Sequence, residues 1–308
     1  MISLARRLLE FPGRLYRLKS QLDALRRDID GQNLSTGRLH ARLNRARPPA
    51  TLAEAEFKVL SQYGDDGIID HLINRTNPPV HKFVEFGVED YSEANTRFLL
   101  VSRNWSGLIM DGRLDLEAIL KHDPIYRRHD LKARSAFVTA ENIDKLLVES
   151  GFAGEIGLLS IDIDGNDYWV WNAIRSVTPA IVVSEFNSVF GPSKPWTVPY
   201  DPAFNRTRYH WSNLVYGTSL TSLSDLAAER GYAFVGCNSA GNNAYFVRKD
   251  YLRDLAPLSP EEGYVEAKFS ESRDQQGNWT FLKGTDRIAA IRGVTVFNTR
   301  KGVTETIQ

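Results

Sequence analysis

Apolar residues recur at two periods along this chain, and the change of period divides it. Over the first 47 residues, Leu15, Leu18, Leu22, Leu25 and Ile29 alternate spacings of three and four, and the beat continues through Gln32 and Thr36 to Leu39 and Leu43. This is a heptad pattern, which predicts a helical, coiled-coil-like arm over residues 1–47 that joins copies of the chain through residues 15–43. Pro12-Gly13 predicts a break between that arm and a shorter basic segment, residues 1–11, suited to peripheral contact with an anionic membrane surface. Gly31 and Gly37 weaken the helix, so a helical hairpin or a helix packed on the chain's own body is the competing expectation. Pro48-Pro49 marks the boundary between the arm and the main body of the chain.

From Leu52 onward short apolar runs alternate with amphipathic ones, the rhythm of an α/β domain. Residues 54–73 read as helical with an interruption over 61–67. Strands are predicted at 82–86, 106–110, 133–138, 156–163 and 180–185, and helices at 95–101, 142–150 and 219–230. Residues 232–236 and 244–248 flank the turn-rich stretch 238–243 and predict a terminal antiparallel hairpin. The organisation expected is an arm (1–47), one catalytic domain (48–255) and a C-terminal extension packed on it (256–308), with a strand at 291–297 and no chemistry in the tail.

Composition narrows the function classes. Lys plus Arg and Asp plus Glu are 38 each, so the chain has no global basic footprint for nucleic acid. The balance is local: residues 1–47 hold eleven basic and four acidic side chains, a net of +7, which leaves −7 for the rest. The single cysteine, Cys237, cannot form an internal disulfide or a Cys-rich zinc site, which points to a reducing, cytoplasmic setting. No apolar run approaches the length of a membrane span, and arginines interrupt the N-terminal leucines, unlike a signal peptide.

The densest chemistry lies in residues 157–171, GLLSIDIDGNDYWVW, where a strand-like run meets Asp162, Asp164 and Asp167. A strand buried on both faces reads as a near-continuous apolar run, so these acids fall at its carboxyl end, where open α/β sheets bind ligands. Gly165 lets the chain turn, and Asp167 is the acid best placed to cap the next helix. The first strand ends in Phe83-Val-Glu-Phe-Gly-Val-Glu-Asp90, where Gly87 permits close approach of backbone to a ligand beside Glu85. The second ends in Asp111-Gly112, where an acid can accept both hydroxyls of a ribose, although Asp-Gly is also a common turn pair. There is neither a GxGxxG run nor a P-loop, so the pattern specifies a nucleoside rather than a dinucleotide or a nucleoside triphosphate.

These segments resemble the FkbM-type group of class I S-adenosylmethionine-dependent methyltransferases, often associated with glycan and polysaccharide modification. The matching stretches are SQYGDDGIIDHLI, FVEFGVEDYSEANTRFLL, NWSGLIMDG, FVTAENIDKLL, LLSIDIDGNDYWVWNAI, IVVSEFN and YGTSLTSLSDLAAERGYAFVGCNSAGNNAYFVR, in family order over residues 57–248. The resemblance implies a Rossmann-like, doubly wound, mostly parallel sheet with the antiparallel hairpin at its end. It implies S-adenosylmethionine as cofactor, with Glu85 and Gly87 flanking the methionine moiety and Asp111 holding the ribose. The sequence departs from the family's glycine-rich loop, because Glu89-Asp90-Tyr91 replaces further glycines.

Methyl transfer to a sugar hydroxyl needs alignment and removal of a proton. Asp162, Asp164, Glu185 and Asn187 are expected to converge at the ends of the fourth and fifth strands as an oxygen-rich site for Mg2+, which would acidify the hydroxyl. The competing account makes His210 the general base, oriented by one of the acids. Trp196, Tyr200, Phe204, Tyr209, Trp211 and Tyr216, with Arg206 and Arg208, form either a lid for a glycan acceptor or a local core. Two other enzyme readings remain: a metal-dependent glycosyltransferase with Asp162 and Asp164 as a DxD element, and a DxDGT-type phosphatase, which Asn166 disfavours. A non-catalytic scaffold assembled through the arm is the alternative from another class.

Overall fold

The structure, a computed structural model, describes residues 2–308, with side-chain surroundings described for 17–22 and 24–308. A first helix, α1 (Ile2–Ala46), is followed by α2 (Leu52–Ala55) and α3 (Asp65–Thr76). Then come β1 (Lys82–Phe86), α4 (Arg97–Arg103), β2 (Ser106–Asp111), α5 (Leu116–His122), α6 (Pro124–Arg128), β3 (Leu131–Ser135), α7 (Ile143–Glu149), β4 (Gly154–Ile161), α8 (Asp167–Ala173) and β5 (Val177–Glu185). The remainder holds β6 (Trp196–Thr197), α9 (Arg206–Tyr209), α10 (Leu220–Glu229), β7 (Tyr232–Cys237), β8 (Asn243–Arg248), α11 (Pro260–Gly263), α12 (Thr285–Ala290), β9 (Thr295–Asn298) and β10 (Val303–Thr306).

Seven strands form one sheet in the order β3-β2-β1-β4-β5-β8-β7. The first five are parallel, and β8 and β7 run antiparallel beside β5, so the predicted terminal hairpin is present. Alternation within each strand divides the core. Val84, Leu159 and Val182 pack under α7, α8 and α10, while Phe83, Leu158 and Ile181 pack under α3, α4 and α5. Covering both faces explains why the central strands read as unbroken apolar runs. Each such side chain contributes about 1.5–3 kcal/mol by burial.

Helix α1 runs on through Pro12-Gly13, so the predicted break is absent. A proline inside a long helix removes one hydrogen bond and need not end it. The side chains of Leu15 and of the basic segment 1–11 lie outside the described residues. Along the rest, Leu18, Leu22, Leu25, Ile29, Leu39 and Leu43 are exposed as one stripe, while Leu34, Gly37 and Ala41 face the body near Phe57 and Phe98. Gly37 is therefore a contact position rather than a weak point, since a Cβ there would stand 2.3 Å from Val59. The competing expectation of a helix packed on the body holds for one face, and the leucine face is open.

The predicted interruption at 61–67 is displaced to 56–64, and Asp65, Asp66 and Gly67 open α3. Asp66 Oδ2 gathers the backbone N–H groups of Val59, Leu60 and Ser61 and the Ser61 hydroxyl, holding the loop against the helix. Gly67 lies inside the helix because a Cβ would sit 2.2 Å from the Ala55 carbonyl. The tail holds its strand at 295–298, and β9 pairs with β10 and with β6 of the preceding loop in a second, antiparallel sheet. Phe190, Trp196, Val198, Leu214 and Val215 from the loop meet Ile291, Val296 and Ile307 from the tail in a core of their own. Among the described residues no helix is long and apolar enough to cross a membrane.

Candidate active site

The carboxyl ends of the five parallel strands open on one cavity of about 650 Å³, to which they contribute Gly87, Asp111, Ala136, Asp162 and Glu185 in turn. This is the crevice where an open α/β sheet takes its ligand. The wall is strongly acidic: Glu85, Glu89, Glu93, Asp111, Asp162, Asp164, Glu185 and Glu271 face Arg206 as the sole arginine or lysine of the lining among the described residues.

On the β1–β3 side, Gly87 adopts φ +74°, and a Cβ on it would meet the Asp162 carbonyl at 1.4 Å. Its glycine is dictated by the neighbouring strand end as well as by any ligand. Glu85 is buried, accepting from the Asn95 and Thr96 backbone N–H groups and from the Thr96 hydroxyl. Burial outweighs these hydrogen bonds and raises its pKa to about 6. Asp111 accepts from the backbone N–H groups of Glu89 and Arg113, which leaves further lone pairs for a ligand. Glu89 and Tyr91 take left-handed φ values of 49° and 63°, so the loop after β1 adopts glycine-type backbone without the glycines. Asp111 holds that turn. Beside it Phe137, 57% exposed, borders the cavity as a flat apolar surface.

On the β4–β5 side, burial raises the pKa of both Asp162 and Glu185 well above their ordinary values; the charges of Asp164, Asp167 and Glu85 add to the shift of Asp162, those of Asp162, Asp164 and Asp167 add to that of Glu185, and Arg206 opposes both. Both acids therefore keep their protons to higher pH than ordinary carboxylates do. Arg206 is fixed over the Tyr216 ring at 3.8 Å and donates to the Asn213 carbonyl and to Asp164. The turn beneath is built by Asp167, whose oxygens accept from the Ile163 and Gly165 N–H groups. Asp167 thus braces the loop at the first turn of α8, with Asn166 at the cap position. The left-handed residue is Asp164, at φ 56°, and Gly165 is required instead by Phe204, which a Cβ would meet at 2.1 Å.

Three buried oxygens in the wall have no hydrogen-bond partner: Asn166 Oδ1, Glu185 Oε2 and Asn243 Oδ1. The amide orientations are set by their nitrogens, which donate to the Asp201 carbonyl and to Asp65. Such acceptors call for a ligand rich in donors.

The expected metal set does not assemble. Asn187 lies wholly buried behind the cavity, donating to the Leu214 and Tyr216 carbonyls while capping the turn after β5. Asp164 turns outward to Arg206, and among the described residues no group of three His, Cys, Asp or Glu is arranged to hold a metal ion. The residues present do not fit Mg2+. His210 is also displaced from the chemistry: it packs against Trp211, bonds the Ser212 hydroxyl at 2.7 Å and does not border the cavity. It ends the short helix α9 as its C-terminal cap, its N–H donating to the Arg206 carbonyl. The aromatic loop divides, with Phe204 and Tyr216 bordering the cavity and Trp196 in the second core. Sequence reasoning missed Phe137, Asn243 and the mouth pair Tyr63 and Phe269, whose rings stack at 6.2 Å. Phe269 and Glu271 come from the tail, where no periodicity marked them.

No family model matches the chain, and no curated protein matches it in sequence. Among solved structures, an S-adenosylmethionine-dependent methyltransferase from Clostridium acetobutylicum aligns over 69% of this chain and 97% of its own, at 8% identity and a TM-score of 0.38. An O-methyltransferase from Bacillus cereus in complex with SAH aligns over 69% and 89%, at 11% identity and a TM-score of 0.35. Overlaps this loose bear no weight on function, which rests on the chemistry of the cavity.

Proposed function

We propose that this chain is an S-adenosylmethionine-dependent O-methyltransferase that acts on a sugar hydroxyl of a glycan or polysaccharide precursor. The observation that carries the reading is the charge of the cavity, where Glu89, Glu93, Asp111, Asp164 and Glu271, without counting the proton-holding Glu85, Asp162 and Glu185, outnumber the one guanidinium. A sulfonium is a cation and gains from that field, whereas the diphosphate of a nucleotide sugar is repelled by it. The same imbalance disfavours the glycosyltransferase reading, and Asp164 of its DxD element is already engaged by Arg206.

Asp111 accepts the ribose hydroxyls, Phe137 offers a face for the adenine, and the Glu85–Gly87 strand end receives the methionine moiety. S-adenosylmethionine supplies an electrophilic methyl group on a positively charged sulfur. The chain's own contribution is to orient the acceptor and take its proton. The unpartnered oxygens of Asn166, Glu185 and Asn243 accept from a polyhydroxylated ring, and the Tyr63 and Phe269 rings offer it a stacking surface at the mouth. Asp162, at the strand end next to that of Glu185, is the base: a carboxylate of raised pKa is better matched to a hydroxyl proton than an ordinary one. No metal enters this route. The exposed leucine face of α1 supports assembly of the chain with copies of itself.

S-adenosylhomocysteine should raise the melting temperature, because a ligand at a hundredfold its dissociation constant adds about 2.7 kcal/mol. No shift at millimolar ligand, or a shift with a nucleoside-diphosphate sugar instead, would overturn the reading.

A further inference from the structure

We propose that a second cavity, between the turn after β5 and the C-terminal tail, binds the oxyanion of a small organic molecule, phosphate or carboxylate, with Arg287 as its anchor. This cavity measures about 820 Å³ and shares no lining residue with the acidic one. Arg287 is only 4% exposed and lines it, yet its Nε has no hydrogen-bond partner. Glu266, the carboxylate whose charge it feels, acts through space without an ion pair or hydrogen bond. Arg103 by contrast pairs with Asp70, Arg97 with Asp123, and Arg230 donates to the Asn172 and Ile174 carbonyls, while Arg273, whose Nε is also unpartnered, lies over the Trp279 ring. A guanidinium withdrawn from water without an anion is costly, and the arrangement is explained if the anion is the ligand.

The surroundings agree in chemistry. Glu305 is engaged by Trp196 Nε1, Asn298 and Lys301, which takes it out of competition for Arg287. Lys194 stands 5.4 Å over the Trp196 ring and adds a second cation to the lining. Phe190, Trp196 and Tyr264 supply aromatic walls for an organic body, and a guanidinium matches the two-oxygen edge of a phosphate or carboxylate.

The test uses the full chain at constant ionic strength, titrated separately with inorganic phosphate and with acetate, read by melting temperature and tryptophan fluorescence. A saturable rise with one of them, absent with chloride, is expected, and the anion that acts identifies the source. Arg287→Met should weaken that response about tenfold or more, leave S-adenosylhomocysteine binding unchanged, and melt no lower than wild type without ligand, because it removes an unmatched buried charge. Lys194→Met, at an exposed position, should weaken the response a few-fold and serves if Arg287→Met fails to fold. A wild type blind to both anions, an undiminished response in both variants, or an Arg287→Met protein that folds but melts well below wild type would overturn the proposal.

Discussion

The α-carbon of Gly87 faces the main-chain carbonyl of Asp162 so closely that a Cβ would stand 1.4 Å from its oxygen. Two neighbouring strands thereby bring both halves of the cavity together at a single contact. Gly87→Ala should cost about 3 kcal/mol or more, from overpacking on backbone and strain at φ +74°. Urea unfolding measures this, and an unchanged midpoint would mean that the strand ends are not so closely joined.

Asp162→Asn should lower kcat by about a hundredfold or more while leaving S-adenosylhomocysteine affinity nearly unchanged, as expected for loss of a general base. Activity should rise with pH as Asp162 loses its proton. Asp164 is the charge that, after burial, most helps hold Asp162 protonated, so in Asp164→Asn the rising limb should move to lower pH. A limb that stays in place in Asp164→Asn would remove that charge from the titration.

Asp111→Ala should weaken S-adenosylhomocysteine about tenfold, by losing ribose acceptors and freeing the Glu89 turn. Phe137→Ala should weaken it by a similar factor without lowering the melting temperature of the free protein, because the ring is largely exposed. Calorimetric titration decides both, and unchanged affinity in either removes that residue from the nucleoside site.

Burial raises Glu85, Asp66 and Asp167 to about 6, from unperturbed values of 4.5 for Glu and 3.8 for Asp. A raised folded-state pKa means that the folded chain binds the proton more tightly. Each contribution is complete below the unfolded value and is lost as pH rises through about 6. Each is on the order of 2 kcal/mol. Carboxylates of lowered pKa, such as Glu305 near 2, act in the opposite sense below this window. The urea midpoint should therefore be higher near pH 5 than near pH 7.5, and a midpoint that climbs steadily across that interval would contradict these assignments.

Removing residues 1–30 takes away much of the exposed leucine stripe and spares Leu34, Gly37 and Ala41, which meet the body. The shortened chain should lose oligomeric state by light scattering and keep its melting temperature; an unchanged mass would show that the arm does not assemble the protein.

Strand ends are the most legible part of the sequence. An apolar run closing in an acid or a glycine marks both the element and its role, so Glu85, Gly87, Asp111, Asp162 and Glu185 all fall in one crevice by their positions at strand ends. Legibility fails where side-chain direction decides. Asn187 lies two residues beyond Glu185, yet it turns inward to hold carbonyls, and nothing in IVVSEFN distinguishes the two. His210 is conspicuous as a residue type and lies off the cavity. Phe137 is hidden for the opposite reason, because an aromatic after a strand ordinarily reads as core. The helix-opening Asp65, Asp66 and Gly67 look like a loop, since their helix depends on contacts with residues 55–61 that local propensity does not record.

Phe269 and Glu271 complete the cavity wall from the tail, and β6 finds its strand partner in β9. During synthesis the sheet and most of the acids can be in place while the mouth is still open. A chain that ended before residue 269 would carry the strand-end acids without the wall that Phe269 and Glu271 supply.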